Sequence, residues 1–419
     1  MTRDLHQNAP VFDLPADLIA VAQYMWELFT DSTDGHIRPW LHSLPPIQKS
    51  GWFPISESFT DLLNGQIFKV AEKYHLPEGL PVFRAEEPLA CCFYLINSLH
   101  ETLLSDEKLD QYERYPYEES IQYANQITEI NYCQDIFEEI FSKITGQICP
   151  SSQSKIFWTH DIDYLYSSWK TDLIIKWREK SIRGIPKIIW NHIFHKDRWD
   201  NIEDILRLEK KYNIQSAFFW LTTRGKFRLS DRTFIDHADY DINSIKTKTW
   251  WSRIENSGSI NGLHKSAFPQ SMEREIKSLP HPININRNHY LKLRIPHHYH
   301  QIEKAKISWD SSLGFAEHIG FRNSYGRPFR PYHLEENRPF NFYEIPLHIM
   351  DTTLIHYMRM DKNKIIPRIL HFIEKNSTRS VITLLLHNTY FEKDRPHPLL
   401  DWDVLYSKLS HFSHFLPIS

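Results

Sequence analysis

The sequence predicts an α/β fold in which apolar strands alternate with helices, and three observations carry that prediction. Residues 155–164, KIFWTHDIDY, pass from an apolar, strand-forming run straight into ionisable groups. In α/β folds the chemistry sits at the carboxyl ends of the strands, and this is how such an end looks in sequence. Next, NIEDILRLEKKYNI (201–214) carries an apolar stripe at Ile202, Ile205, Leu206 and Leu208, and the continuous apolar strand SAFFWLTT (216–223) follows at once. Helix then buried strand is the repeat of an α/β sheet or barrel. Finally, polar candidates recur at or near the ends of apolar strand segments, at Asp161, His264, His289 and His387. In a barrel, strand ends of one polarity face one mouth.

The 419 residues suffice for two or three domains. A composition of 41% hydrophobic and 24% charged residues is globular. The net charge of −3 gives no general basic surface, and the basic run IIKWREKSIRGIPKII (174–189) is short, so nucleic acid is not an expected partner. With 24 histidines, any single histidine is weak evidence for a site. Cys91, Cys92, Cys133 and Cys149 show no paired metal-ligand spacing, and the adjacent pair reads as core. The N-terminus lacks the apolar core of a signal peptide, and no run approaches 18 apolar residues. The expectation is a cytoplasmic protein with no membrane span, its oligomeric state open.

Taken in order, residues 1–150 hold none of the later histidine and acid clusters. LIAVAQYMWELF (18–29) is helical, Pro45 and Pro46 make a turn, LACCFYLINSLHETLLS (89–105) is a buried helix, and 121–144 is a second helix by its spacing of three and four. This part is expected to be an accessory domain of mixed α/β type, ending in the turn-rich TGQICPSSQSK. Trp169, Trp177, Trp190 and Trp199 follow the key strand and either line a groove or pack at an interface, the latter being commoner for tryptophan. Asp200 is the expected cap of the 201–214 helix. Further expected elements are a strand ending at His264, a helix over 269–279 with proline in its first turn, a strand over 286–293, a helix over 297–306, turns through 308–332, a strand over 340–351, a helix over 362–375, a strand over 380–386 and a closing helix over 402–415.

At the key stretch, a strand that continues to Asp163 puts Asp161 and Asp163 on one face by its period of two. If a loop begins earlier, the carboxylates either converge on one cation or divide into base and ligand. Asp163 as the cap of the following helix is the structural alternative.

The ordered set THDIDY, FFWL, GLHKS, RNHYLKL, WDSSLGF with GFR, LHIMD and LLLHN resembles the polysaccharide deacetylase family, the NodB-homology carbohydrate esterases, and more closely its bacterial branch with a separate N-terminal domain. The resemblance covers residue 155 to the end. It implies a distorted (β/α) barrel over 151–419, preceded by the smaller domain at 1–150. It also implies removal of N- or O-acetyl groups from a carbohydrate or glycan with the help of a divalent metal, usually zinc, in a setting such as polysaccharide biosynthesis. By analogy Asp161 is the base, Asp163 a metal ligand, His264 the first metal histidine and His387 the general acid. The second metal histidine of the family falls on Phe268, which cannot bind metal, so His289 is the expected third ligand, the alternative being Asp161 recruited at the expense of its base role, with His160 a weaker substitute. Arg294 with Pro296 imitates the family's arginine motif, yet Arg287 and Arg322 stand in the more characteristic contexts and are the expected polarising or orienting arginines, an ordinary ion pair being the alternative for each. Asp351 is the candidate partner of His387, and Trp309 and Tyr325 are candidate sugar-stacking rings. Two other readings stay open: a metal-free or non-catalytic carbohydrate-binding protein on the same scaffold, and a hydrolase of another C–N bond.

Overall fold

The computed structural model describes residue 14 and residues 16–43, 55–230, 233–391 and 400–417. The expected turn at Pro45 and Pro46 lies outside these residues. Nine parallel strands make the main sheet: β1 Lys155–Ile162, β2 Ser216–Leu221, β3 Ile260–Lys265, β4 Ile285–Asn288, β5 Trp309–Asp310, β6 Tyr343–Glu344, β7 Leu347–Met350, β8 Val381–Leu385 and β9 Ser413–His414. Their order is β6-β5-β4-β3-β2-β1-β8-β7, with β9 beside the start of β1. The two ends of this order are neighbours in the chain. Tyr343–Glu344 pairs with β5, and Leu347–Met350 pairs with β8. Between them the Ile345 N–H donates to the Asp310 carbonyl at 2.7 Å, and the Leu347 N–H to that of Leu313 at 2.8 Å. Residues 343–350 thus bridge the two edges, and the sheet curls toward a barrel in which every strand ends at the same mouth.

Alternation along the strands builds two apolar layers. Ile156, Trp158 and Ile162 of β1 and Phe218 and Trp220 of β2 belong to the large cluster that includes the surrounding helices. Phe157, Ala217, Phe219, Ile285 and Ile345 form a separate cluster inside the curl. Gly262 of β3 belongs to this interior. A Cβ there would lie 2.8 Å from the Ile285 side chain and 2.9 Å from that of Phe219, so any larger residue would push these two side chains apart beneath the site.

Several expectations need correcting. Among the described residues, 16–150 hold helices and short 3-10 turns and no strand, so the N-terminal part is helical rather than mixed α/β. Its central helix, Pro88–Ile96, is buried along Leu89–Ile96, and a segment apolar on all sides is core helix as readily as strand. The expected helix over 121–144 is two, Ile121–Ala124 and Tyr132–Thr145, parted where Gln126 takes a left-handed φ of 56°. The helix over 269–279 starts at Met272 and is capped by Ser271, not opened by Pro269. The side chain of Asp200 caps nothing; it accepts the Trp250 indole N–H at 3.0 Å. Trp309–Asp310 is a strand where turns are expected, and the closing helix stops at Leu409, after which Ser413–His414 joins the sheet. The helical part and the sheet share one continuous apolar cluster. At their contact the Phe321 N–H donates to the Thr128 carbonyl at 2.7 Å. A Cβ on Gly320 would sit 2.3 Å from that same carbonyl oxygen, so only glycine permits the approach.

Candidate metal centre and its pocket

Asp161 lies at the end of β1, and the strand stops at Ile162, so Asp163 follows it as the first residue beyond rather than on a strand that continues through it. His264 lies near the end of β3, His289 immediately after β4 and His387 two residues after β8. All five line one cavity of about 230 Å³. One ligand atom each from Asp163, His264 and His289 fall within 4.8 Å of one another. His264 Nε2 is 3.5 Å from Asp163 Oδ1, and His289 Nε2 is 3.6 Å from the same oxygen. This buried Asp-His-His cluster is able to hold a divalent metal.

Three features of the donors fit that role. His264 Nδ1 is 2.9 Å from the Arg287 carbonyl. A proton on Nδ1 satisfies that carbonyl and turns the Nε2 lone pair toward the carboxylates, the usual way a backbone acceptor fixes a metal-binding imidazole. Asp163 Oδ1 is buried without a hydrogen-bond partner among the described residues. Burial pushes the Asp163 carboxyl above its ordinary range, against the pull of His387 and His264 and reinforced by Asp161 and Asp351. A cation between Asp163 and the two rings would satisfy the orphaned oxygen and offset the cost of burying it. Burial, with the neighbouring rings of His264, His237 and His387, holds His289 well below the usual imidazole range, so it stays neutral and able to ligate. Three protein ligands beside an open cavity would leave a bound metal a free coordination position.

Asp161 is treated differently. Arg287, fully buried, lies over the Phe219 ring at 4.4 Å and donates from Nη1 to Asp161 Oδ1 at 3.0 Å and to Thr159 Oγ1 at 2.8 Å. Its other nitrogens are held by the Ser311 carbonyl and hydroxyl, both at 2.9 Å. Burial alone would raise the Asp161 carboxyl, but His264, Arg287 and His387 outweigh it and hold it below the carboxylate range. Oδ2 remains turned toward His264 Nε2, at 3.5 Å.

On the opposite side His387 Nδ1 is 2.6 Å from Asp351 Oδ1, and the His387 backbone N–H donates to Asp351 Oδ2 at 2.6 Å. Burial lowers the imidazole, yet Asp351 above all, then Asp163 and Asp161, bring it up to about 9. Its Nε2 stands 3.8 Å from Asp163 Oδ2, facing the cavity.

Other sequence candidates lie elsewhere. Arg322 is fully buried in a two-pronged pair with Glu101, at 2.8 and 2.6 Å, and a third nitrogen donates to the Gly314 carbonyl. It pins the helical part to the sheet and does not line the cavity. Arg294 reaches Asp106 at an exposed site. Trp309 stacks on Tyr343, and Tyr325 is buried against Ser32, so neither ring is at the mouth. His160 points out of the curl, to Glu209. Phe268 packs on His237, which packs on His289, with ring centres 4.6 and 5.2 Å apart.

The sequence reading missed the rest of the wall. Tyr164, Tyr290, Tyr357 and Tyr390 line the cavity, and so does Arg114 from the N-terminal helical part. Arg114 is held by Asp110 and donates to the Tyr290 carbonyl and the Tyr357 hydroxyl, each at 3.1 Å. Tyr164 and Tyr290 follow Asp163 and His289 directly and were within reach of the motif; nothing local marks Arg114.

No protein-family model and no curated protein matches the chain. Among solved structures it is similar to a candidate polysaccharide deacetylase of O-antigen biosynthesis from Bordetella bronchiseptica, with 12% identity over 56% of this chain and 72% of that one and a TM-score of 0.28. It is also similar to the Bc1960 peptidoglycan N-acetylglucosamine deacetylase, with 13% identity over 62% of this chain and 81% of that one and a TM-score of 0.29. At such distances the chemistry of the site carries the functional reading.

Proposed function

We propose that this protein is a metal-dependent deacetylase of an N- or O-acetylated carbohydrate, acting by hydrolysis. The observation that carries the reading is a pair of ionisable groups with opposed tuning on either side of one metal-binding trio. Asp161 is held ionised by His264 and Arg287, and His387 is held protonated by Asp351. Such opposed tuning marks a base and an acid.

A divalent cation, zinc in this reading, held by Asp163, His264 and His289, would supply water of lowered pKa and polarise the acyl carbonyl. Asp161 Oδ2 accepts a proton from the attacking water as its oxygen bonds to the acyl carbon. Arg287 keeps Asp161 oriented and anionic until then. His387 donates its Nε2 proton to the sugar nitrogen or oxygen as the bond from that atom to the acyl carbon breaks. The products are acetate and the free amino or hydroxyl group. Asp351 holds Nδ1–H throughout, so only Nε2 is free to donate. Arg114 and the tyrosines give the cavity hydrogen-bonding walls suited to a polyhydroxylated ligand.

The experiment is acetate release from a panel of N- and O-acetylated mono- and oligosaccharides by the wild type and by Asp161→Asn. The expected result is release on at least one member, lowered about 10²–10⁴-fold in the variant, with bound metal unchanged. Release equal in both, or none from any member by metal-loaded protein, overturns the reading.

A further inference from the structure

The helical insertion between β1 and the 202–212 helix is built unlike the rest of the surface. It consists of two short helices, Ser168–Arg178 and Ile185–Phe194, which pack on each other. The second has no buried residue, and the first has only Ser168. Its large apolar side chains face outward: Trp177 is 79% exposed, Ile182 85%, Trp190 59%, Ile193 63% and Phe194 60%. Residues 168–196 also carry seven Lys or Arg against two Asp or Glu, in a chain whose net charge is −3. Arg178, Lys180, Arg183 and Lys187 are exposed, and none has an ion-pair partner among the described residues.

Exposed tryptophan, isoleucine and phenylalanine interleaved with unpaired cations is the composition of a segment lying in a membrane interface. The apolar rings enter the acyl boundary while lysine and arginine meet anionic headgroups. No helix of the described chain is long and apolar enough to cross a membrane, and helices of 11 and 10 residues reach only about 16 Å. We propose that this hairpin docks the protein on an anionic lipid surface without spanning it. Charge selects that occupant. A second copy of this chain, net negative but presenting the same cationic patch, would set like charges face to face.

The insertion also begins at the cavity and returns to its edge. Tyr164 lines the cavity, and Trp199, just past the second helix, lies against Tyr164 with ring centres 5.5 Å apart. A hairpin seated in lipid therefore holds the cavity mouth near the headgroups, where an acyl-bearing glycan attached to the membrane would be presented. The docking itself stands whether or not the deacetylase reading does.

The test is co-sedimentation of the purified full chain with phosphatidylcholine vesicles, with and without phosphatidylglycerol. Two variants accompany it: the apolar set Trp177→Ser, Ile193→Ser and Phe194→Ser, and the cationic set Arg178→Ala, Arg183→Ala and Lys187→Ala. All six positions are exposed, and unchanged thermal melting checks that both variants fold. The expected result is binding to the phosphatidylglycerol vesicles that weakens with salt, a blue shift of tryptophan emission on binding, and a loss of at least about tenfold in partitioning for each variant. No binding at low salt, or equal binding by wild type and both variants, overturns the proposal. So does a lipid-free dimer that the apolar set abolishes, because the patch is then a protein interface.

Discussion

His160 and Asp161 are neighbours on β1, both buried, and they face opposite ways into two polar clusters that differ in kind. On the outer side His160 bonds the Leu386 carbonyl through Nδ1 at 2.9 Å and Glu209 through Nε2 at 3.1 Å. Glu209 also accepts the Ser216 hydroxyl at 2.5 Å, and Trp402 and Phe218 pack against the imidazole. That cluster is closed, and both ring nitrogens of His160 and the Glu209 carboxylate are paired, although the Trp402 indole N–H is buried without a partner among the described residues. On the inner side Asp161 shares its surroundings with Asp163 and His289, where Asp163 Oδ1 and His289 Nδ1 have no partner among the described residues, and the cluster opens into a cavity. Burial and charge are common to both sides. Unpaired ligand atoms beside open space belong only to the inner one, and that combination is a better mark of a site than an unpaired atom alone, because unpaired buried polar atoms also occur elsewhere in this fold.

Mutations should separate the two sides. His264→Ala removes the one ligand with a fixed tautomer. The expected outcome is loss of bound metal and a fall in deacetylation of at least about 10³-fold, read by elemental analysis and acetate assay. His387→Asn should retain metal and lose roughly 10²–10⁴-fold in kcat, with little change in KM.

The pH profile sharpens the same contrast. His387 must be protonated to donate, so activity should fall as pH rises through about 9, or lower once a cation's charge sits beside it. Asp351→Asn removes the carboxylate that raises His387 and should bring that limb down by roughly one to three pH units. Because the folded value of His387 lies above its unfolded one, its contribution to stability is complete below about pH 6.5 and is lost as pH rises through about 9. His160→Phe, on the closed side, should instead lower stability by about 1–3 kcal/mol by leaving groups unpaired, with metal content and kcat of the folded fraction unchanged. The smallest effect is expected of Phe268→His. Because Phe268 packs on His237 rather than on the trio, metal affinity should change by less than about tenfold.

The positions of the chemistry were legible where strand and motif coincide. An apolar run ending in ionisable groups marked β1, β3 and β8, and Asp161 and Asp163 line one cavity although the strand stops between them at Ile162. His289 was harder, because its strand ends at Asn288 and a turn, not the sheet, carries the ring into the cavity. Arg287 and Arg322 were indistinguishable in sequence. Both are buried and bonded through all three guanidinium nitrogens, and only the fold tells that one bonds Asp161 and the other Glu101, 221 residues away in sequence. Trp309 and Tyr325 misled because a large aromatic residue serves a core or a mouth equally well. The two-residue strands at 309–310 and 343–344 are too short to show any period. Arg114 reaches the wall through long-range packing that no local pattern records.

The most direct measurement is metal analysis of the purified protein after loading with zinc and removal of the excess, run beside His289→Ala and His160→Phe. Near-stoichiometric metal in the wild type and His160→Phe, and little in His289→Ala, is the predicted result. Equal metal in all three proteins, or none in the wild type, would contradict the assignment of Asp163, His264 and His289 as a metal centre.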